Sequence, residues 1–177
     1  MVVIDVIESP VGPLTVAERG TRMCLLHFGG DGDASIDATL ERWYPGEARD
    51  RRTLAIFRGI LSRYFAGEHG VIDSVAVELN GTPFQKRVWQ ALRHIPSGST
   101  ISYLELARRI GEPSAVRAVG AANGANPVAL VVPCHRVIGS DGTLTGYGGG
   151  LDRKEWLLNH ERATWKGSSR TAPSLPW

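Results

Sequence analysis

The sequence predicts an α+β protein with two domains: a small antiparallel sheet with helices, followed by a mainly helical domain. Three observations lead to this prediction. Strand-like alternation fills residues 2–28, helical periodicity with capping signals fills residues 82–161, and Asn80-Gly81 breaks the pattern between them. We therefore assign residues 1–81 to a first domain, residues 82–165 to a second domain, and residues 166–177 to a flexible tail.

The composition is that of a globular protein, because 42% of the residues are hydrophobic and 21% are charged. No apolar run approaches the roughly 20 residues of a membrane span. The first ten residues lack the basic region and long apolar core of a signal peptide. The two cysteines, without an export signal, indicate a reducing compartment. We therefore expect a cytoplasmic protein with no membrane partner.

Charge is distributed unevenly along the chain. Residues 1–81 carry 8 Lys and Arg against 12 Asp and Glu, whereas residues 82–165 carry 10 against 6. The last twelve residues add two further cations. This asymmetry favours a second domain that meets a polyanion such as nucleic acid. An ordinary solvated surface gives the same imbalance, so this alternative stays open.

The first domain reads as a structural scaffold. Residues 2–28 are typical of a three-stranded antiparallel meander, and Cys24 lies inside its third strand, where we interpret it as a core thiol. Helical spacing follows over residues 36–43 and again over about 53–66, and alternation over residues 75–79 predicts a further strand. We find no catalytic constellation in this half.

The second domain opens with three helix starts. Thr82-Pro83-Phe84-Gln85 combines a capping threonine, a proline at the first helical position and a glutamine that completes a capping box. Ser102 and Glu105 form a second capping box, and a third helix runs from Ser114 to about Asn123. Two short helices joined by a tight turn are typical of a helix-turn-helix, and also of plain helical domains.

The third helix favours DNA binding. From Ala115 to Ala122 it offers no asparagine, glutamine or lysine that could read base edges. Such a smooth surface suits a minor groove whose sequence is not read. Arg117 is the only charged residue between Glu112 and Arg136, which makes it a candidate to fill the space left by an extruded base. A surface salt bridge is the alternative interpretation of Arg117.

The chemistry is expected at Cys134. This cysteine follows a short apolar run, and His135 and Arg136 come directly after it. We therefore expect the thiol at the lip of a cleft, with the imidazole, the guanidinium and turn amides favouring its thiolate. A small buried hydrophobe is the alternative for a lone cysteine. A metal site is not expected, because no second pair of ligands has usable spacing.

Two further motifs flank this cysteine. Asn126 stands before Pro127, where a side-chain amide can tie neighbouring backbone turns together. Tyr147-Gly148-Gly149-Gly150 lacks the setting of a phosphate-binding loop and is interpreted as the wall of a flat pocket for a planar base. A last amphipathic helix runs from Leu151 to about Glu161.

Together these motifs resemble the methylated-DNA–protein-cysteine methyltransferases, which repair O6-alkylguanine. The motifs that carry the resemblance are Asn126-Pro127, Pro133-Cys134-His135-Arg136-Val137, Gly146-Tyr147-Gly148-Gly149 and Lys154-Glu155-Trp156-Leu157-Leu158. They cover residues 82–161 densely, whereas the first half matches only as a loose pattern. The resemblance implies a ribonuclease-H-like first domain and a winged helix-turn-helix in the second.

The resemblance also implies a function. The helix-turn-helix would bind the minor groove of duplex DNA, O6-alkylguanine would be flipped out, and its alkyl group would move irreversibly to Cys134 in a single turnover. His135 would act as a general base through a bridging water, Glu161 would orient the imidazole, Tyr103 would stabilise the leaving guanine, and Asn126 would be the hinge. Contacts to DNA or to the flipped base are expected from Arg117, Tyr147, Gly148, Val137, Ser102, Ser114, Ala118 and Arg136.

The expected partner is therefore double-stranded DNA that contains O6-alkylguanine, with O4-alkylthymine as a further candidate lesion. We expect a monomer, associated with the nucleoid, with no metal and no cofactor; cooperative binding on DNA stays open. Family members often carry serine where Gly148 stands, a change of little consequence if only the backbone amide is used.

Two other functions are compatible with parts of the pattern. A lesion-sensing protein without catalysis would bind the same DNA, but in the alkyltransferase-like proteins the acceptor cysteine is replaced, so Cys134 argues against it. A cysteine hydrolase would use a similar nucleophile, and would need an oxyanion hole and repeated turnover of an acyl substrate.

Overall fold

The computed structural model describes residues 1–168, and contacts between its residues divide them into two units. The first unit comprises residues 1–81 and 127–131, and the second comprises residues 82–126 together with the described residues from 132 onward. The tail expected at residues 166–177 falls outside the described residues from position 169. None of the helices in residues 1–168 has the length and apolar character needed to cross a lipid bilayer.

The first unit is built on a four-stranded sheet in the order β3-β2-β1-β4. The strands are β1 (Val2–Ile7), β2 (Leu14–Arg19), β3 (Arg22–Phe28) and β4 (Arg49–Arg51). The first three pair antiparallel, which confirms the predicted meander. β4 pairs parallel with β1 and was not predicted, because its three exposed charged residues carry no apolar alternation.

Two α-helices and one 3-10 helix complete the first unit. They are α1 (Ala34–Trp43), α2 (Ala55–Phe65) and the 3-10 helix His69–Ser74. Ile36 and Leu40 of α1 pack in one core cluster with Cys24, which is 1% exposed, so the prediction of a core thiol is confirmed. The strand predicted at residues 75–79 is wrong. That segment is extended but pairs with the sheet only at a single bridge, between Val77 and Met23.

Asp5 ties β1 to α2. It is 8% exposed, and its carboxylate accepts hydrogen bonds from the Leu54 amide at 2.9 Å and from both Nε and Nη2 of Arg58, at 2.7 and 2.6 Å. Burial by itself raises the pKa of Asp5, but the bonds from Arg58 and Leu54 outweigh it and hold that pKa below its usual value. The ionised carboxylate therefore stabilises the fold at neutral pH.

The second unit is mainly helical. Its elements are α3 (Pro83–Leu92), β5 (Ile101–Ser102), α4 (Tyr103–Arg109), α5 (Val116–Gly124), the 3-10 helix Cys134–Arg136, β6 (Val137–Ile138) and α6 (Leu151–His160). The capping box predicted at Thr82 and Gln85 is present. Helices α4 and α5 form the predicted helix-turn-helix pair, and the mixed α+β class is confirmed.

Two interactions position the elements that carry the candidate site. The indole Nε1 of Trp89 on α3 donates to the Ala122 carbonyl of α5 at 2.8 Å, in a buried contact that locks these helices together. Strands β5 and β6 pair parallel, with Ile101 opposite Val137 and Ser102 opposite Ile138. The start of α4 is therefore held beside the segment that contains Cys134.

We expect Asp5→Ala to lower the free energy of unfolding by about 2 kcal/mol, because the buried Leu54 amide and the Arg58 guanidinium lose their acceptor. Urea unfolding at neutral pH measures the loss. Since folding depresses the pKa of Asp5, its contribution to stability is present above the unfolded pKa of about 3.9 and disappears as the pH falls through the lower folded value.

Glu68→Ala is the control, because Glu68 forms an exposed pair with Arg63 and should change stability by less than about 1 kcal/mol. Equal effects of the two substitutions would contradict this account.

Candidate active site

The structure places Cys134 at the start of a one-turn 3-10 helix, where the residue is 6% exposed. The expectation of a thiol at the lip of a cleft is therefore wrong for this structure. The Asn126 side-chain amide donates to Sγ of Cys134 at 3.1 Å and to the Val132 carbonyl at 2.7 Å. Asn126 thus ties two turns together, as expected, and also contacts the sulfur directly, which the sequence did not indicate.

Burial dominates the electrostatics of the thiol. It raises the pKa of Cys134, and the Asn126 hydrogen bond and the positive charge of Lys154 oppose that shift only in part. The resting thiol is therefore protonated at neutral pH. This differs from the expectation that its sequence neighbours favour the thiolate.

His135 and Arg136 share the carboxylate of Glu161. Nε2 of His135 lies 3.0 Å from Oε1, and the Arg136 guanidinium donates to both carboxylate oxygens at 2.8 Å. All three residues are buried, with at most 3% of any of them exposed. Glu161 follows the last residue of α6, so this helix end is anchored to the segment after Cys134.

This geometry determines the protonation of His135. Burial lowers the pKa of His135, which the nearby Glu161 carboxylate opposes only in part, so the imidazole is neutral. Burial by itself raises the pKa of Glu161, but His135 and Arg136 hold that pKa well below its usual value. Because a carboxylate only accepts, Nε2 carries the proton and Nδ1 keeps its lone pair. Nδ1 is buried and has no hydrogen-bond partner among the described residues, so it is available as a base.

Arg136 does not face DNA, and its assignment as a DNA contact is wrong. The residue is 1% exposed, and besides its two bonds to Glu161 it donates to the Ile95 carbonyl at 2.6 Å. The guanidinium is therefore committed to the protein interior. The sequence signal for this interior role was the apolar segment from Val131 to Ile138, in which Arg136 lies.

Lys154 is a site residue that the sequence analysis missed. It is fully buried on α6, and its Nζ donates to the carbonyls of Val137 and Thr145 at 2.6 and 2.9 Å. Nζ also lies 5.9 Å from the ring centres of both Tyr103 and Tyr147. Burial lowers the pKa of Lys154 to about 8, and the Cys134 sulfur opposes that shift. The helical spacing of residues 154, 157, 158 and 161 could have revealed it, since all four lie on one buried face.

Two tyrosines stand beside the thiol. The Tyr103 hydroxyl donates to the Thr145 carbonyl at 3.3 Å, and the ring is half-buried. The Tyr147 hydroxyl is buried, and its environment raises the pKa of Tyr147 through burial and through the neighbouring Cys134. Gly148 is exposed, and a Cβ built on it would meet no heavy atom within 4 Å, so a serine at this position would fit.

The other predicted site residues lie in the segment after Cys134, at the start of α4 and near the start of α5. Val137 is buried, and its carbonyl already accepts the bond from Lys154, whereas the Ser102 hydroxyl caps α4 by accepting from the Glu105 amide at 3.1 Å. Ser114, Arg117 and Ala118 are exposed at the start of α5. Arg117 forms no ion pair with any other residue in the range 1–168, so the salt-bridge alternative finds no support. Within the same range, no group of three or more His, Cys, Asp or Glu side chains could hold a metal ion.

Comparison with family models shows what these features are similar to. Residues 2–79 match the model described as 6-O-methylguanine DNA methyltransferase, ribonuclease-like domain. Residues 83–163 match the model described as 6-O-methylguanine DNA methyltransferase, DNA binding domain.

Individual relatives agree with the family models. The methylated-DNA–protein-cysteine methyltransferase of Salmonella typhimurium is 46% identical over 171 residues, which cover 88% of this chain and 92% of the relative. The protein of the same name from Mycolicibacterium paratuberculosis is 48% identical over 162 residues, which cover 92% and 93% of the two chains. The crystal structure of Mycobacterium tuberculosis OGT in complex with DNA superposes with a TM-score of 0.76 at 42% identity, covering 90% of this chain and 92% of that one.

We expect Arg136→Lys to lower the free energy of unfolding by about 1–3 kcal/mol, because a lysine cannot reproduce the paired bonds to Glu161 and the bond to Ile95. The variant Arg136→Gln, which also removes the charge, should leave the salt dependence of DNA binding unchanged, since Arg136 does not reach a phosphate. Urea unfolding and DNA titrations at several salt concentrations measure the two quantities. Arg109→Lys, at an exposed position on α4, is the stability control. A salt slope reduced by about one in Arg136→Gln, with unchanged stability, would restore Arg136 as a phosphate contact.

A second prediction concerns Lys154→Met and pH. The pKa of Lys154 is about 8 in the folded protein and about 10.4 in an unfolded chain, so the unfolded state binds more protons between these values. The unfolding free energy therefore gains a contribution from Lys154 as the pH rises from 8 to about 10.4. Lys154→Met lacks this contribution, so the wild-type protein should become relatively more stable with pH, by at most about 1.4 kcal/mol per pH unit. Urea unfolding at pH 8, 9 and 10 measures the difference, and a constant difference would contradict the buried ammonium.

Proposed function

Because the chain belongs to the 6-O-methylguanine DNA methyltransferase family, we propose that Cys134 is the residue that receives the alkyl group from damaged DNA. The protein is a DNA-repair enzyme, a methylated-DNA–protein-cysteine methyltransferase that binds DNA. One observation carries the assignment to Cys134. Its sulfur accepts a hydrogen bond from Asn126 at 3.1 Å, and the next residue along the chain is the neutral imidazole paired with Glu161.

The substrate is O6-alkylguanine in duplex DNA. In the transfer, a bond forms between Sγ of Cys134 and the alkyl carbon as the bond from that carbon to O6 breaks, and the electron pair stays on the guanine oxygen. The thiol gives up its proton and the released guanine gains one. The product is a thioether, which offers no carbonyl for water to attack, so each protein molecule reacts once.

Removal of the thiol proton falls to His135. Side chains of adjacent residues rarely face each other for direct transfer, so the proton passes through a bridging water to Nδ1, the nitrogen that Glu161 leaves available. The thiolate is then stabilised by the Asn126 amide and by the buried positive charge of Lys154. Since the resting pKa of Cys134 is raised, activation depends on these groups.

Base recognition falls to the residues around the thiol. The Tyr103 hydroxyl donates to the purine and stabilises the charge that develops as guanine leaves, and Tyr147 packs beside the base. The Gly148 amide and the carbonyls of Cys134 and Val137 read its edge. Because Cys134 is 6% exposed and Tyr103 is bonded to Thr145, the purine enters only after that bond has opened.

DNA binding is assigned to the helix-turn-helix of α4 and α5. Arg117 is exposed and without an ion pair within residues 1–168, and exposed Ala118 and Ser114 lie beside it. This small, smooth surface with a single cation suits a minor groove, where Arg117 takes the place of the extruded base. We infer that a monomer acts in this way on chromosomal DNA, and that the protein is associated with the nucleoid in the cytoplasm.

The acceptor can be identified with duplex DNA that carries labelled O6-methylguanine. We expect the wild-type protein to take up one label per molecule, and Cys134→Ser to take up none while still binding the DNA. Cys24→Ser is the matched control, because Cys24 is a core thiol that is 1% exposed and has a pKa raised by burial to about 12. Mass spectrometry locates the added methyl group. Label on Cys24, or release of several products per protein molecule, would refute the proposal.

Arg117→Ala tests the flipping step. Base extrusion costs a few kcal/mol, so loss of the inserted side chain should slow repair in duplex DNA by about tenfold or more. Reaction with a free alkylated base should change by less than about twofold, because no extrusion is needed. Arg108→Ala, at an exposed position on α4, controls for loss of one surface charge. Equal slowing on both substrates would exclude a role in flipping.

A further inference from the structure

Asn123 on α5 is a buried polar residue whose side-chain amide is only partly hydrogen-bonded. It is 3% exposed, and its Nδ2 donates to the Cys134 carbonyl over a long distance of 3.4 Å. Its Oδ1 is buried and has no hydrogen-bond partner among the described residues. A buried amide that is half-satisfied costs stability compared with an apolar side chain of similar size. The position therefore calls for a functional explanation.

The surroundings of Asn123 supply one. The Tyr103 ring packs against α5 one turn earlier, where its Cδ1 lies 3.9 Å from the point at which a Cβ on Gly120 would stand. Residues three apart on a helix lie on the same face, so Asn123 sits next to the phenol. Burial is the main influence and raises the pKa of Tyr103, whereas the Thr145 carbonyl and, to a smaller extent, the nearby Asn123 side chain oppose that shift. One amide group thus adjoins both the Cys134 carbonyl and the Tyr103 oxygen.

We propose that Asn123 is a positioning residue for alkyl transfer. One N–H of its amide holds the Cys134 carbonyl, and the other donates to the phenolic oxygen of Tyr103, which directs the hydroxyl hydrogen at the purine. The inference rests on the proposed function, in which Tyr103 donates to the departing guanine. Two targets need two N–H groups on one side chain, which an amide offers and a hydroxyl does not.

The arrangement accounts for how Tyr103 changes partners. In the structure the Tyr103 hydroxyl donates to the Thr145 carbonyl at 3.3 Å. When the purine enters, the hydroxyl hydrogen turns to the base while the Asn123 N–H keeps the oxygen in place. A donor aimed at the phenolic oxygen also makes the hydroxyl a stronger donor, because it stabilises negative charge on that oxygen.

The test compares four proteins: the wild type, Asn123→Leu, Tyr103→Phe and the double variant. The measurement is the single-turnover rate of transfer from duplex DNA that contains O6-methylguanine. We expect Asn123→Leu to slow transfer by about tenfold, as for loss of a hydrogen bond to a group that gains charge. In the Tyr103→Phe background the same substitution should change the rate by less than about twofold, because the oxygen that it positions is absent.

Two further readouts separate positioning from a structural role. Asn123→Leu should unfold at the same or a higher temperature than the wild type, since leucine has a similar size and leaves no unpaired acceptor. The ultraviolet titration of the Tyr103 phenol, taken as the difference between proteins with and without Tyr103, should move to higher pH in Asn123→Leu. Asn159→Leu is the matched control, because Asn159 on α6 is also buried and both of its amide atoms lack partners within residues 1–168. It should react at the wild-type rate.

The outcomes distinguish the inference from the function on which it rests. Equal slowing by Asn123→Leu with and without the Tyr103 hydroxyl would overturn the inference and leave the proposed function intact. A Tyr103→Phe protein that reacts like the wild type would remove Tyr103 from the mechanism, and the role of Asn123 with it. Loss of transfer only in Cys134→Ser would still identify the acceptor in either case.

Discussion

The candidate active site depends on the hydrogen bonds that the buried Glu161 carboxylate accepts. This carboxylate accepts bonds of 2.8–3.0 Å from His135 and Arg136, and none of these groups has appreciable access to solvent. A buried charge without its partners costs several kcal/mol, so the three side chains hold one another in place. Because His135 and Arg136 directly follow Cys134, this anchor at the end of α6 also fixes the backbone at the proposed nucleophile. It selects the tautomer of the imidazole as well, so one set of bonds determines both the position of this segment and the nitrogen that carries the proton.

In the proposed mechanism, burial protects the thiol of Cys134 until a substrate arrives. Burial raises the pKa of Cys134, which keeps the sulfur protonated and unreactive. The Asn126 amide and the Lys154 ammonium oppose this shift because both stabilise the thiolate. If each molecule reacts once, as we propose, such protection is useful because any adventitious reaction would consume the protein. The arrangement has a cost in stability, since the ammonium of Lys154 is held in the interior with its pKa lowered to about 8. A functional group that costs stability is common at active sites.

Local patterns predicted the elements well and the long-range partners poorly. The capping box at Thr82, the meander over residues 2–28 and the core thiol of Cys24 depend on neighbours in the chain, and all three were predicted. The strand expected at residues 75–79 was not found, because alternation reports which side of an extended segment is buried and not whether a partner strand accompanies it. β4 was missed for the opposite reason, since its pairing with β1 needs no apolar residue.

The sequence by itself determined which chemistry is available: a cysteine followed by histidine in an apolar segment, an asparagine before proline, and a smooth helix with one arginine. Each of these features is a short run of neighbouring residues, so it can be recognised from the sequence alone. Only the tertiary structure decided which charged side chains are paired inside the protein and which remain at its surface. Arg136 was predicted to contact DNA and Lys154 was given no role, yet both are buried, because their partners Glu161, Ile95, Val137 and Thr145 come from other segments of the chain. Burial and pairing depend on distances through space, and no local pattern records them.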